Sequence, residues 1–238
     1  MDEGVDLKEL DLVDPSVHWY YQSKLVGVRS MVGQVLRDDI RIIDVGAGSG
    51  FFSLALGAEA KAKTIQCIDP NYSQERRERD GAVCFLRTPD DPEADLYLLI
   101  DVLEHVDDDL GLLRSYTENA PHGAVFVISV PAFQSLWSSH DVFLEHKRRY
   151  RLSQVEALAR AAGLRVTRST YLFGSIFPLV WSIRRFKRST NPKSDMNTPH
   201  PVVNKSLTKL LTAEHRIPMN RFFGLSAVVT GVVSHDCD

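Results

Sequence analysis

From residue 40 onward, short apolar runs alternate with helical segments, and this alternation restricts the fold more than any other feature of the chain. "RIIDV", "TIQCID", "AVCFL", "DLYLLID" and "AVFVISV" read as strands. Between them "FFSLALGAEA" and "DDDLGLLRSYTENA" read as helices, and "SQERRERD" as a polar helix. Parallel strands joined by helices are covered on both faces, so they are apolar throughout instead of alternating. Further on, "RLSQVEALARAAG" is a helix closed by Gly163, "LRVTRSTYLF" a sixth strand and "GLSAVVTGVV" a seventh. The expected class is therefore α/β, a doubly wound, mostly parallel sheet.

A length of 238 residues fits one such domain with elaborations. Residues 1–37 form an expected N-terminal helical cap, in which the aromatic "HWYY" precedes Leu25, Val28, Val32, Val35 and Leu36 at helical spacing. Residues 174–222 form a helical insertion between the last two strands, carrying "SIFPLVWSIRRFKR" and "VVNKSLTKLLTAEHRI". A connection of that length with its own helices reads as a functional insertion.

The net charge of −3 offers no basic excess of the kind that nucleic-acid binding favours, so no nucleic-acid partner is expected. Cys67, Cys84 and Cys237 have no CxxC spacing and read as free thiols of a reducing compartment. The acidic start "MDEGVDLKEL" lacks the pattern of a signal peptide, and no apolar run approaches ~20 residues, so the expected location is cytoplasmic.

In a doubly wound sheet, ligands bind beyond the carboxyl ends of the strands. Asp44, Asp69 and Asp101 fall at such ends. Asp69 follows Asp44 by 69 − 44 = 25 residues, close to the interval at which an acid reaches ribose hydroxyls in βαβ nucleotide sites, and is the expected ribose ligand. The glycines do not fit a dinucleotide fingerprint: Gly46, Gly48 and Gly50 are followed by Phe51 and Phe52 where the third glycine of G-x-G-x-x-G belongs. Asp44 would repel a phosphate and suit an ammonium. A cationic, phosphate-free nucleoside is the better guest, and a nicotinamide oxidoreductase is disfavoured.

These segments resemble the class I S-adenosylmethionine-dependent methyltransferases. "IIDVGAGSG" looks like their first motif, "CIDP" like the acidic end of their second strand, and "DLYLLIDVLEHVDDD" like the fourth-strand motif of small-molecule members, including those of ubiquinone biosynthesis. The resemblance covers about residues 18 to 172 and the final strand. It implies a Rossmann-like, seven-stranded sheet with an antiparallel last strand, and S-adenosylmethionine as cofactor. It further implies that the backbone at Gly46, Ala47 and Gly48 approaches the methionine and ribose portions, that Asp44 helps hold the ammonium and that Asp69 takes the ribose hydroxyls. Pro70 would flank the adenine, and Asp101 with Val102 would line the methionine side.

For the acceptor, "VPAFQSLWSSHDVFLEHKRRYRLSQ" resembles a segment of bacterial methyltransferases of lipid, glycan and secondary-metabolite pathways. Methyl transfer needs alignment of the nucleophile and, where required, a base. His140, His146 and Tyr150 are the catalytic candidates, His140 first, with Asp141 as orienting acid and Arg148 and Arg149 as holders of an anionic acceptor. The competing reading makes Asp141 and Arg149 a structural pair, with Tyr150 packed beneath the next helix. Glu104 and His105 follow the fourth strand, but two ligands do not define a metal site, and none is assigned.

Phe173, Ile176, Phe177, Val180, Trp181 and Ile183 form an apolar stripe next to Arg184, Arg185, Lys187 and Arg188. This reads as a lid packed over the acceptor pocket or, as the alternative, a peripheral membrane contact through residues 173–188. Both suggest a small apolar or lipid-like acceptor. A catalytically silent binding or regulatory protein of the same fold is the competing function class.

Overall fold

The computed structural model describes residues 13–186, 199–214 and 220–234; Lys187, Arg188 and Cys237 lie outside them. Eight strands form one sheet: β1 (Arg41–Val45), β2 (Thr64–Ile68), β3 (Arg76–Glu78), β4 (Val83–Leu86), β5 (Leu96–Ile100), β6 (Val125–Pro131), β7 (Leu164–Leu172) and β8 (Ser226–Val233). Their order is β3-β4-β2-β1-β5-β6-β8-β7. The central pairs are parallel, from β4 through β2, β1 and β5 to β6. β8 runs antiparallel to both β6 and β7, so the expected Rossmann-like sheet with its reversed last strand is the one observed.

Neighbouring residues of the central strands supply opposite faces, as the pleat requires. Ile43, Tyr97, Leu99, Phe126 and Ile128 enter one core with Leu113, Val155 and Ala159, which belong to helices α3 (Asp109–Thr117) and α5 (Leu152–Ala161). Ile42, Leu96, Leu98 and Val127 enter the other with Val28 and Met31 of α1 (Trp19–Val32) and Leu56 of α2 (Phe51–Glu59). Tyr97 and Phe126, side by side on β5 and β6, stack with ring centroids 4.3 Å apart.

The eighth strand corrects the reading of "SQERRERD" as a helix. That segment has no apolar face to bury, and Arg76–Glu78 instead pair antiparallel with β4 as an exposed charged edge. The Arg76 guanidinium lies 3.5 Å from the centroid of the Phe85 ring. Arg79, Asp80 and Gly81 follow with φ of +50°, +55° and +88°, a turn that no right-handed α-helix contains.

The insertion holds α6 (Phe177–Phe186) and α7 (Pro201–Glu214), and α4 (Ser139–Phe143) is a short helix before α5. Glu214 closes the base of the insertion by accepting from the backbone N–H of Gly174 (2.6 Å) and Ser175 (3.0 Å). Asn204 of α7 accepts from the Trp19 N–H (2.9 Å) and donates to the Val17 carbonyl (2.7 Å), which fastens the N-terminal segment to the insertion. Tyr20 stacks on Phe173 at 5.3 Å, and Tyr21 meets the edge of Phe51 at 5.9 Å. The "HWYY" aromatics thus connect the first turn of α2 to the root of the insertion.

Candidate active site

β2, β1 and β5 are adjacent and parallel, so Asp44, Asp69 and Asp101 come to the same sheet edge, at the point where strand order reverses. Gly46, Gly48 and Gly50 all have positive φ (+64°, +51° and +73°). At Gly46 the need for glycine is double, because a Cβ would sit 2.6 Å from Val102 Cγ2. The Ala47 N–H donates to the Ile68 carbonyl at 3.0 Å. Asp69, buried, accepts from the Gly48 N–H (3.3 Å) on Oδ2 and from the Asn71 N–H (2.9 Å) on Oδ1. The buried Tyr72 hydroxyl donates to the Gly48 carbonyl at 2.7 Å. Tyr72 was not singled out from sequence, although "DPNY" places it one turn beyond Asp69.

Asp44 is buried beneath this loop, and burial is the main force pushing its carboxyl up to about 7, with hydrogen bonding from Ser53 opposing and the Asp69 charge adding to the rise. Ser53 stands in the first turn of α2, so Asp44 braces the loop against that helix. Pro70 is exposed at the rim.

Asp101 has φ +57° and donates its N–H to the Ser129 carbonyl at 2.8 Å. Its Oδ2 accepts from Lys24 Nζ and from the Tyr20 hydroxyl (3.1 Å), while Lys24 Nζ also donates to the Tyr20 hydroxyl (3.0 Å). Asp101 Oδ1 is buried and has no hydrogen-bond partner among the described residues. Lys24 went unnoticed in the sequence, and Tyr20 was read there only as one of the "HWYY" aromatics. The available signal was a lysine at helical spacing from Val28 and Met31, on the face of α1 that enters the core.

On the acceptor side the competing structural reading of Asp141 and Arg149 is the geometry observed. Asp141 Oδ1 accepts from Arg149 Nε (2.6 Å) and Oδ2 from Arg149 Nη2 (3.0 Å) and the Ser138 N–H (2.8 Å). Burial opposes ionisation of Asp141, but His146 and the Arg149 guanidinium outweigh it and hold the carboxyl well below the usual range. Arg149 is buried, and Arg148 is spent on Asp109 and on the carbonyls of Val106 and Asp107. Neither arginine presents itself to an anionic acceptor, which corrects that expectation. The Tyr150 hydroxyl is buried between Asp109 Oδ2 (2.7 Å) and the Leu103 carbonyl (3.1 Å), and burial and Asp109 raise its pKa, so its place is structural.

Asp141 orients His146, whose Nδ1 lies 2.9 Å from Oδ1, and not His140. His140 is half-buried in α4. The His105 and His146 rings meet at 4.7 Å. Burial and the neighbouring His146 lower the His105 pKa to about 4, so its imidazole is neutral.

The fold matches known proteins. A family model described as "Methyltransferase domain" matches residues 19–169, and the chain belongs to that family. It is a methyltransferase by that match, built on a Rossmann-like sheet. A Haloferax volcanii protein solved in complex with the Trm112 methyltransferase activator is 16% identical, with a TM-score of 0.57 over 92% of this chain and 96% of that one. A Thermotoga maritima SAM-dependent methyltransferase, described as a possible histamine N-methyltransferase, is 15% identical, with a TM-score of 0.53 over 92% and 91%. The [4+2]-cyclase SpnF is 13% identical, with a TM-score of 0.56 over 89% and 80%. At such identities the likeness concerns the fold. No curated protein gives a significant sequence match.

Proposed function

We propose that the protein transfers the methyl group of S-adenosylmethionine to a small, apolar or lipid-like acceptor at the carboxyl edge of β1, β2 and β5. The observation that carries this reading is the meeting of Asp69, the Gly46–Gly48 turn and the unpartnered Asp101 Oδ1 at one sheet edge. Three acids there fit a cationic, phosphate-free nucleoside. Bound at this edge, the donor supplies an electrophilic methyl group on a sulfonium. Asp69 holds the ribose hydroxyls, since each of its oxygens accepts one backbone N–H and retains acceptor capacity. The backbone of Gly46, Ala47 and Gly48 lies along the donor, with Val102 behind it and Pro70 beside the adenine. Asp101 Oδ1 receives the ammonium, a task the sequence assigned to Asp44, and Asp44 shapes the turn from below.

His146 takes the place of His140 and Tyr150 on the acceptor side. An ionised Asp141 accepts Nδ1–H from it, so that in the neutral ring the lone pair is on Nε2. The apolar character of the acceptor is supported by α6. Phe173 and Ile176, at the root of the expected stripe, are buried, whereas no residue of α6 itself is. Leu179 is 63% and Phe186 83% exposed, with Trp181 and Ile183 also exposed and Arg184 and Arg185 beside them. That pattern suits peripheral contact with an anionic membrane surface through the α6 part of residues 173–188.

Calorimetric titration with S-adenosylmethionine and S-adenosylhomocysteine tests the donor assignment. Asp69→Ala removes hydrogen bonds to a charged group, each worth about 1.5–3 kcal/mol, and is expected to weaken binding about 100-fold. Absence of binding to the wild-type protein, or unchanged affinity in the variant, would refute it.

A further inference from the structure

Glu104, His105 and His146 come from two segments that the sequence leaves about forty positions apart, yet they offer one ligand atom each, all within 4.8 Å of one another. Two features of the fold bring them together. The 3₁₀ turn Leu103–His105 follows β5, and the Lys147 N–H donates to the Glu104 carbonyl at 2.7 Å, which holds the segment after α4 against that turn. Glu104 is fully buried, and the two imidazoles are only partly exposed.

From this geometry we infer that Glu104, His105 and His146 form a binding site for a divalent cation beside the methyl-donor site. Each histidine already carries the outer contact that metal-bound imidazoles use. His146 gives its Nδ1–H to Asp141, which is itself locked by Arg149 and the Ser138 N–H, so Nε2 is the ligand atom. His105 hydrogen-bonds the backbone of Leu144, an outer contact that holds its ring in place. Two imidazoles and one carboxylate form a borderline donor set, which suits zinc, manganese, iron or cobalt better than magnesium or calcium, whose preferred ligands are all oxygen.

Three protein ligands leave coordination positions open, in contrast to the closed four-ligand structural site. A cation held there would bind an acceptor hydroxyl and make it more acidic, its proton passing to solvent water, and His146 would then serve as a ligand in place of the acceptor-side role proposed above. Asp101 and Val102 lie only three and two residues before Glu104, which puts the cation next to the donor. The role assigned to the cation rests on the methyl-transfer reading; the cation site itself does not.

The test uses the full chain, stripped of metal by chelator and titrated with Co²⁺, whose visible d–d absorption reports the ligand set. The expected result is one Co²⁺ per chain with visible bands of low-symmetry nitrogen and oxygen coordination. His146→Ala and Glu104→Gln are each expected to abolish the bands, and Asp141→Asn to weaken Co²⁺ affinity by about 10–100-fold. Circular dichroism melts identify any variant that fails to fold, and His105→Gln, at a half-exposed position, is the second ligand probe. Asp69→Ala is expected to bind Co²⁺ like the wild type, and S-adenosylmethionine to bind in the presence of chelator. No bands in the wild-type protein, or equal bands in His105→Gln and in a folded His146→Ala, would overturn the site. Cobalt binding without donor binding would refute the methyl-transfer reading and leave the cation site standing.

Discussion

Lys24 is fully buried and meets Asp101 Oδ2 at the end of β5, so replacing it with methionine probes the coupling between the N-terminal helix and the donor site. Lys24→Met keeps the length of the side chain and removes the charge, leaving the Asp101 carboxylate with the Tyr20 hydroxyl as its one remaining side-chain donor among the described residues. Breaking one partner out of a buried ion pair costs roughly 3–5 kcal/mol. The Asp101 side chain is 28% exposed, so water can reach part of it and the lower end, about 3 kcal/mol, is expected. For a chain of this size that corresponds to a fall in Tm of about 6–12 °C. Urea unfolding followed by circular dichroism measures it. Adding Asp101→Asn to Lys24→Met removes the stranded charge and is expected to recover about half of the loss, which a double-mutant cycle reads directly. A loss below about 1 kcal/mol for Lys24→Met, or no recovery in the double variant, would refute the view that this pair fastens α1 to the site.

Two further outcomes are expected. The Asp44 carboxyl is raised in the folded state to about 7, so the unfolded chain ionises first and stability falls as pH rises from about 4 toward 7. Asp44→Asn abolishes that contribution, and the stability of the variant relative to wild type is expected to increase across the same interval in pH-dependent thermal melts; a constant difference would contradict the assignment. On α6, Phe186→Asp together with Ile183→Asp is expected to lower cosedimentation with anionic lipid vesicles several-fold while leaving donor affinity unchanged, and equal cosedimentation would exclude α6 as the contact.

The donor half of the site was legible because its parts are local in sequence. Gly46, Gly48 and Gly50 stand at the end of an unmistakable strand, and Asp69 follows after one helix and one strand, so the βαβ unit alone places them together. The acceptor half depends on tertiary pairing. "SSHD" and "EHKRRY" present two histidines and two arginines to one aspartate, and the sequence has no means of deciding that Asp141 takes Arg149 and His146 in preference to His140. Lys24 and Asp101 are 77 positions apart, and the lysine is visible only as a misfit on an apolar helical face. "SQERRERD" was misread for a different reason: a wholly polar segment fits an exposed helix and an exposed edge strand equally, and the Phe85 ring that receives Arg76 lies on another strand. The stripe of α6 has the period of a buried helix, but periodicity does not say whether protein covers it.

The place of β8 in the sheet has a consequence for how the chain is made. Residues 226–233 lie between β6 and β7, so every earlier strand can be synthesised while the sheet still has a gap in it. Until that last strand arrives, β6 and β7 each present an open row of backbone donors and acceptors, the kind of edge on which other chains aggregate. The closing contacts join residues separated by roughly a hundred positions on the β6 side, which makes closure slow by its topology. The final strand must therefore enter between two already formed neighbours, and the nascent protein is at its most vulnerable before this strand arrives.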